Sequence, residues 1–103
     1  MTMNRFRLSR SAETDIAQIR CYIASDNVSA ADRFVGELFD LFQLLGKNPE
    51  IGQQRDDLRS KLRSMPHGNY VVFYYPSAQG AEIVTVVHGA RDIDAVFRET
   101  RGQ

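Results

Sequence analysis

Two residues near the carboxyl end of the chain, His88 and Arg91, carry side chains that could transfer a proton or bind an anion. His88 follows a run of β-branched residues, and an imidazole titrates near neutral pH, as a general acid or base should. The alternative is a structural histidine whose ring bonds to the backbone or to Asp92. Because no partner acid or base lies at motif spacing, we expect the structural role for His88.

Two arginines could bind a carboxylate through the planar guanidinium group. Arg91 could contact another protein in this way, or it could form an internal ion pair with Asp92, Asp94 or Glu82. Arg63 lies on a neighbouring predicted strand and could join Arg91 in a small basic patch, although a solvated charge is the commoner outcome for a strand arginine. Both arginines are candidate binding residues.

Tyr70, Tyr74 and Tyr75 lie close together in one apolar run. Aromatic rings can stack on nucleic-acid bases. The run is typical of a strand inside a sheet, so we expect at least two of the three tyrosines to lie in the core. Tyr74 is the one that we retain as a candidate contact residue.

The composition limits the classes of protein to which the chain can belong. With 103 residues and 11.7 kDa, residues 1–103 are expected to form a single domain. No segment approaches the roughly 18 apolar residues of a membrane span, and the N-terminus has no apolar signal core. We therefore expect a cytoplasmic protein that does not bind membranes. The single Cys21 excludes an internal disulfide, and with two histidines it makes no metal cluster of usual spacing, so we expect no metal and no cofactor.

The charges of the chain cancel. Thirteen Lys and Arg residues balance thirteen Asp and Glu residues, which gives a formal net charge of zero. Proteins that bind the phosphate backbone tightly usually carry a basic excess. We therefore expect no direct sequence-specific binding to nucleic acid.

The centre of the predicted fold is a β-hairpin. Two β-branched and aromatic runs flank a turn that we place at residues 76–80, and both runs are apolar on both faces, as in the middle of a sheet. Near the N-terminus, apolar residues alternate with arginines, which predicts an edge strand. The predicted strands are 4–8, a short one around 62–65, 70–75 and 81–87.

Two helices are predicted between the first strand and the hairpin. Apolar residues at helical spacing predict a helix over 10–24 with Ser9 as its N-cap. A second helix is predicted over 30–45, with Ser29 and Asp32 forming a capping box. Its apolar residues cover more of the circumference than one stripe requires, so it either packs on several sides or offers an apolar surface to another chain.

The order of elements predicts an α+β domain, in which a helical hairpin packs on a small, mainly antiparallel four-stranded sheet. A polar surface loop, with at most a short helical turn, is predicted over 50–60. A short helix is predicted from Asp92, its N-cap, to Phe97, and residues 98–103 are expected to fray.

Short motifs are spread over nearly the whole chain. They are Leu8-Ser9, Ala12, Asp15-Ile16, Ile19 and Tyr22-Ile23; Phe34, Leu38 and Leu45; Asn48-Pro49-Glu50-Ile51-Gly52; Leu62-Arg63; Tyr70 with Phe73-Tyr74; and Val87-His88-Gly89-Ala90-Arg91-Asp92. In order and spacing these motifs resemble the ParE branch of the RelE/ParE toxin superfamily. The resemblance implies the toxin of a bacterial type II toxin-antitoxin pair with a RelE/ParE-like fold.

The superfamily contains two classes of toxin. RelE-like members are ribosome-dependent messenger RNA endonucleases, whereas ParE-like members are described as poisons of DNA gyrase. RelE-like proteins have an Arg directly after the Tyr of the central strand and a Tyr beyond the Arg of the last strand. Here the first position is Val71, and no Tyr follows Arg91. These departures favour a gyrase inhibitor that lacks a complete set of catalytic residues. The alternative is a RelE-like endonuclease with His88, Arg63 and Arg91 in its site.

The resemblance also implies a protein partner. Toxins of this family are held by a ParD-like antitoxin, of which a long segment lies along the toxin and buries apolar side chains in grooves. Toxin and antitoxin could form a hetero-oligomer. The residues expected to contact the target or the antitoxin are Arg63, Tyr74, His88, Arg91 and Phe97.

Overall fold

The computed structural model describes residues 5–100, and the side chains of residues 5–98. The elements are β1 (Phe6–Leu8), α1 (Arg10–Ala24), α2 (Val28–Lys47), β2 (Gln53–Gln54), β3 (Arg63–His67), β4 (Tyr70–Ser77), β5 (Gly80–His88) and α3 (Ile93–Thr100). Within the described range, no helix has the length and apolar character needed to cross a membrane.

The strands form one sheet in the order β1-β5-β4-β3-β2. β1 pairs with β5 in parallel, and the other neighbours are antiparallel. β1 lies at an edge, as predicted. The sheet has five strands rather than the predicted four, because Gln53 and Gln54 pair with Ser64 and Arg63. Two polar residues carry no strand periodicity, so the sequence pattern could not indicate β2.

The hairpin turn is shorter than predicted. β4 extends past Pro76, and only residues 78–79 connect it to β5. Pro76 is tolerated because its partner Ala81 turns its N–H away from β4 and donates it to the carbonyl of Arg5, at 2.9 Å. Gly80 then begins β5 at φ +134°, a conformation that side chains rarely adopt.

The pairing of β4 with β5 shifts at Val84. Phe73 faces Thr85 and Tyr74 faces Ile83, so Val84 is left without a partner as a β-bulge. β1 pairs with β5 only as far as Ile83. Beyond the bulge, that edge of β5 is no longer covered by a strand.

α1 has the predicted bounds, and its N-cap is Ser9, as predicted. The Ser9 hydroxyl oxygen accepts the N–H of Ala12 at 3.0 Å, and the same hydroxyl donates to the carbonyl of Val84 at 2.6 Å. One serine therefore begins α1 and fastens it to β5 at the bulge.

α2 begins at Val28, two residues before the predicted start. Its N-cap is Asn27, whose side-chain oxygen accepts the N–H of Ala30 at 2.9 Å. The predicted capping box of Ser29 and Asp32 is wrong, because both residues already lie inside the helix. Asparagine caps a helix as well as serine does, and the short connection from α1 places it at the cap.

Both faces of the sheet are covered, which confirms the prediction that the hairpin strands are buried on both sides. On one face, α1 and α2 enclose the larger core. On the other face, α3 covers a smaller cluster. The largest fully buried side chains of the first core are Leu38, Phe42, Leu45, Val72, Tyr74 and Ile83, and the buried members of the second are Leu62, Phe73, Val87 and Phe97.

The apolar circumference of α2 is only partly explained by packing. Val28, Phe39 and Leu44 are 57%, 36% and 47% exposed. The helix therefore packs on several sides and still presents some apolar surface to solvent.

The α3 helix begins after Asp92, whose side chain accepts the N–H of Ala95 at 3.2 Å, as the predicted N-cap should. The helix continues to Thr100, so residues 98–100 are helical where fraying was expected. Residues 101–103, for which fraying was also expected, lie outside the described residues.

Candidate interaction site

The five candidate residues do not form one site. In the sheet, Arg63 lies beside Tyr74 at one end, whereas His88 lies beside Tyr70 at the other end, with Arg91 three residues beyond. Arg63 and Arg91 therefore do not form the basic patch that was considered as one possibility for them. Strand register separates these residues, and a single sequence does not reveal the register.

Arg63 is engaged inside the protein. Its guanidinium group donates to the carbonyls of Glu50 at 2.9 Å and Gly52 at 2.8 Å. These two bonds hold the loop that follows α2. We therefore assign Arg63 to positioning that loop.

Tyr74 is fully buried, so it does not offer a surface contact. Its hydroxyl donates to the carbonyl of Pro49 at 2.7 Å and accepts the N–H of Gly52 at 2.9 Å. Burial raises the pKa of Tyr74 above its usual value, while the Gly52 N–H and the charge of Arg63 act in the opposite direction. Tyr74 thus belongs to the core and to the same loop as Arg63.

Phe97 is also a core residue, only 4% exposed. Its ring meets Phe73 edge-on at a centroid distance of 4.9 Å, and the guanidinium carbon of Arg59 lies 5.1 Å from the ring centroid. These contacts dock α3 on the sheet. Phe97 is therefore engaged mainly in packing α3 on the sheet.

His88 is exposed at the end of β5, and its ring bonds to the backbone, as the structural interpretation expects. Nδ1 accepts the N–H of Ala90 at 3.1 Å, and the ring meets Tyr70 edge-on at 5.2 Å between centroids. His88 and Tyr70 thus form an aromatic pair at the end of strands β4 and β5.

Arg91 is exposed, and its backbone N–H donates to the carbonyl of His88 at 3.0 Å. Of the predicted ion pairs with Asp92, Asp94 and Glu82, none forms among residues 5–98. The guanidinium group is therefore accessible to a partner.

His88 and Arg91 lie along a groove that combines three adjoining cavities. An aromatic cavity of about 550 Å³ is bordered by Tyr22, Phe34, Tyr70 and His88. It shares Tyr22, Tyr70 and His88 with a second cavity, which in turn shares Asp15, Val87 and Arg91 with a third cavity that reaches α3. We call this feature the His88 groove.

Asp15 forms one wall of the His88 groove, and the sequence analysis did not identify it as a site residue. Its carboxylate accepts the N–H of Val86 at 3.0 Å and the hydroxyl of Thr85. It thus covers the edge of β5 just beyond the bulge, where β1 has ended. An acidic residue in the first half of a helix gives no sequence signal for this contact.

Tyr22 was also missed as a site residue. Its side chain follows the helical pattern of α1, yet it is 75% exposed. An isolated tyrosine beside a core stripe does not indicate a groove by itself, since the opposite wall comes from a distant strand.

The comparisons with known proteins agree with the fold. The family model described as ParE toxin of type II toxin-antitoxin system, parDE, matches residues 6–93. A toxin from Mycobacterium tuberculosis named Toxin ParE1 is 28% identical over 93 residues, which cover 88% of this chain and 95% of that protein. Toxin ParE1 of Caulobacter vibrioides is 32% identical over 87 residues, which cover 84% of this chain and 90% of that protein.

A solved structure also has this fold. The structure described as a chromosomal ParDE TA system from P. aeruginosa superposes with a TM-score of 0.68 at 15% sequence identity, and the match covers 84% of this chain and 96% of that one. The family match over 6–93 and the relatives confirm the resemblance drawn from the sequence motifs. The chain belongs to the ParE toxin family and is the toxin component of a type II toxin-antitoxin system.

Proposed function

We propose that this toxin inhibits DNA gyrase without cleaving RNA, and that a ParD-like antitoxin neutralises it in the cytoplasm by forming a hetero-oligomeric complex. The observation that carries the first half of the proposal is the separation of Arg63 from His88 and Arg91 across the sheet. The ParE family membership supports both halves.

The competing function, a RelE-like endonuclease, needs several groups around one phosphate. One group activates the 2′-hydroxyl, another protonates the leaving oxygen, and cations stabilise the phosphate charge. Arg63 is bonded to two backbone carbonyls far from His88. Val71, at the position where RelE-like proteins carry an arginine, packs against the apolar cluster beneath α3. This arrangement favours a toxin that acts by binding.

The surface of the toxin supports a protein partner. Tyr22, Val28, Leu44 and Ile51 are between 47% and 75% exposed, and the His88 groove adds a concave surface with aromatic walls. Exposed apolar side chains and concave apolar surfaces are both typical of protein-binding surfaces.

The test is a pair of assays on the same purified toxin. In the first, relaxed plasmid is supercoiled by gyrase and ATP with increasing toxin; in the second, ribosomes stalled on a defined messenger are incubated with the toxin. We expect inhibition of supercoiling, its relief by a cognate ParD-like antitoxin, and no messenger cleavage. Ribosome-dependent cleavage without any effect on gyrase would overturn the proposal.

A further inference from the structure

The side of α2 that faces solvent carries a regular pattern of charge that the proposed function does not use. Two basic and two acidic residues recur at every seventh position and alternate in sign: Asp26, Arg33, Asp40 and Lys47. Seven residues make nearly two helical turns, so the three members within α2 lie in one stripe along the helix. The fourth, Asp26, lies in the turn just before the N-cap. We call these four residues the α2 charge stripe.

The α2 charge stripe is not neutralised inside the protein. All four of its residues are exposed, and none of them forms an ion pair with any residue among 5–98. Arg33 and Asp40 are about 10 Å apart along the helix axis and do not pair with each other. The neighbouring acids of the same helix differ, because Asp32 contacts a side chain of α1 at 2.8 Å and Glu37 contacts one of β3 at 3.4 Å. The stripe is therefore available to another molecule.

The alternation of sign makes the α2 charge stripe complementary to itself. Read from one end the signs are minus, plus, minus, plus, and read from the other end they are the opposite at every position. Two copies of α2 that pack antiparallel about a two-fold axis would place Arg33 of one copy against Asp40 of the other. The same axis would place Lys47 against Asp26, and symmetry makes each pair occur twice. Parallel packing in register would instead bring like charges together.

The middle of the stripe allows a second helix to approach closely. Gly36 is exposed there, and a Cβ added to it would meet no atom of the described chain within 4 Å. Packing within the chain therefore does not require a glycine, which destabilises a helix interior by about 1 kcal/mol relative to alanine. The two-fold axis beside Gly36 would also place Leu44, which is 47% exposed, against the small Ser29 of the other copy. Large and small side chains would thus interdigitate.

The charge of the whole chain also suits association with a second copy. The formal net charge is zero, so two copies do not repel each other over long distances. A uniformly acidic or basic partner would meet like charge at half of the stripe. We propose that two copies of the toxin associate through the outer faces of α2, antiparallel about a two-fold axis beside Gly36. This self-association is independent of gyrase inhibition and of neutralisation by an antitoxin.

The test is sedimentation equilibrium of the full-length toxin, separated from its antitoxin and refolded, with circular dichroism to verify the fold. A contact between two single helices is smaller than a standard interface, so we expect a dimer with a dissociation constant in roughly the micromolar range. The dimer should weaken at about 0.5 M salt, because salt screens exposed ion pairs. Arg33→Glu should weaken it by roughly tenfold or more, since symmetry converts two attractive pairs into two repulsive ones.

A matched control and a rescue separate this contact from general charge effects. Arg10→Glu changes the net charge by the same amount at an exposed residue of α1, and it should dimerise within about twofold of wild type. Asp40→Arg alone should weaken the dimer as Arg33→Glu does. A mixture of the Arg33→Glu and Asp40→Arg variants should form a heterodimer, because each altered residue then faces an opposite charge. Neither variant should form such a dimer by itself.

Crosslinking gives a second readout of the two-fold axis. In a Cys21→Ser background, Gly36→Cys should form a disulfide between two copies under mild oxidation, because the axis brings this position close to itself. Ala17→Cys, at an exposed position of α1, is the matched control and should remain a free thiol.

Three outcomes would overturn the inference. The first is a wild-type toxin that stays monomeric up to about 1 mM. The second is a dimer that neither charge reversal weakens and that the mixture does not restore. The third is a loss of antitoxin affinity in Arg33→Glu with unchanged self-association, since the outer face of α2 would then bind the antitoxin instead of a second copy.

Discussion

The carboxylate of Asp15 on α1 accepts the backbone N–H of Val86 on β5 at 3.0 Å, just beyond the point where β1 ends. The same carboxylate accepts the hydroxyl of Thr85, which is only 7% exposed. An uncovered strand edge can pair with another chain and cause aggregation. One side chain of α1 thus replaces the missing strand.

Removing this carboxylate should destabilise the fold. We expect Asp15→Ala to lower the free energy of unfolding by about 2 to 3 kcal/mol, because a nearly buried hydroxyl and a backbone N–H lose their acceptor. Asp15→Asn should cost less, since a single carboxylate oxygen accepts both bonds and the amide oxygen can take its place. Urea unfolding followed by circular dichroism measures both values.

Glu13→Ala, an exposed substitution on the same helix, is the control for the Asp15 variants and should change the stability by less than about 0.5 kcal/mol. Thr85→Val combined with Asp15→Ala should cost less than the sum of the single changes, because the two side chains share a bond. Equal stability of Asp15→Ala and wild type would contradict the role assigned to the carboxylate.

Local pattern predicted most of the fold. The apolar spacing of α1 and the Ser9 cap were sufficient to predict where this helix begins and ends. The apolar runs of the two hairpin strands correctly predicted that both strands lie inside the sheet. The pattern failed where pairing partners are distant. β2 forms only because Gln53 meets Ser64, and the bulge at Val84 depends on the register of β4 against β5.

The candidate site was predicted less well, for the same reason. Tyr74 and Phe97 have side chains that suit a binding surface, but the sheet and α3 bury both of them. His88 and Arg91 lie on the surface because they follow the last strand. Their groove partners, Asp15 and Tyr22, are more than 65 residues away in the chain, and only the folded structure brings them together.

The loop after α2 depends on Tyr74. We expect Tyr74→Phe to lower the free energy of unfolding by about 1 to 2 kcal/mol, because the Gly52 N–H and the Pro49 carbonyl both lose their bond to the hydroxyl. Arg63→Ala should loosen the same loop. A double-mutant cycle measured by urea unfolding should give a coupling above about 0.5 kcal/mol, since both side chains bind Gly52 or its neighbours. Strict additivity would show that the two side chains act independently.

Tyr74 should also make the stability depend on alkaline pH. Burial raises its pKa in the folded state above the ordinary 10.0, so the unfolded state loses the proton first. The stability that neutral, buried Tyr74 contributes is therefore fully present below pH 10, and it is lost as the pH rises through the folded-state pKa of Tyr74. In a spectrophotometric titration, the difference between wild type and Tyr74→Phe should show one tyrosine that ionises above pH 10. If the difference curve instead showed a tyrosine that ionises at or below pH 10, the effect assigned to the burial of Tyr74 would be contradicted.

Docking of α3 depends on Phe97. Phe97→Ala should lower the free energy of unfolding by roughly 3 to 5 kcal/mol, because it leaves a cavity against Phe73 and removes the ring that Arg59 covers. Arg98→Ala changes the next, exposed residue of the same helix and should have little effect. Thermal unfolding of both variants in complex with the antitoxin measures the difference. Equal melting temperatures of the Phe97→Ala and Arg98→Ala complexes would show that Phe97 does not stabilise the docking of α3.

The toxin assignment leads to a prediction in cells. Expression of the chain alone should arrest growth or yield aggregated protein, and co-expression of a cognate ParD-like antitoxin should relieve both effects, because a bound partner that covers exposed apolar surface would stabilise the toxin and block its action. Leu38→Asp, which places a charge in the fully buried core, should abolish folding and with it the arrest. Colony counts after induction, with immunoblots of the soluble fraction, provide the measurement. Normal growth of cells that contain abundant, soluble and intact wild-type chain would count against toxicity of this family member.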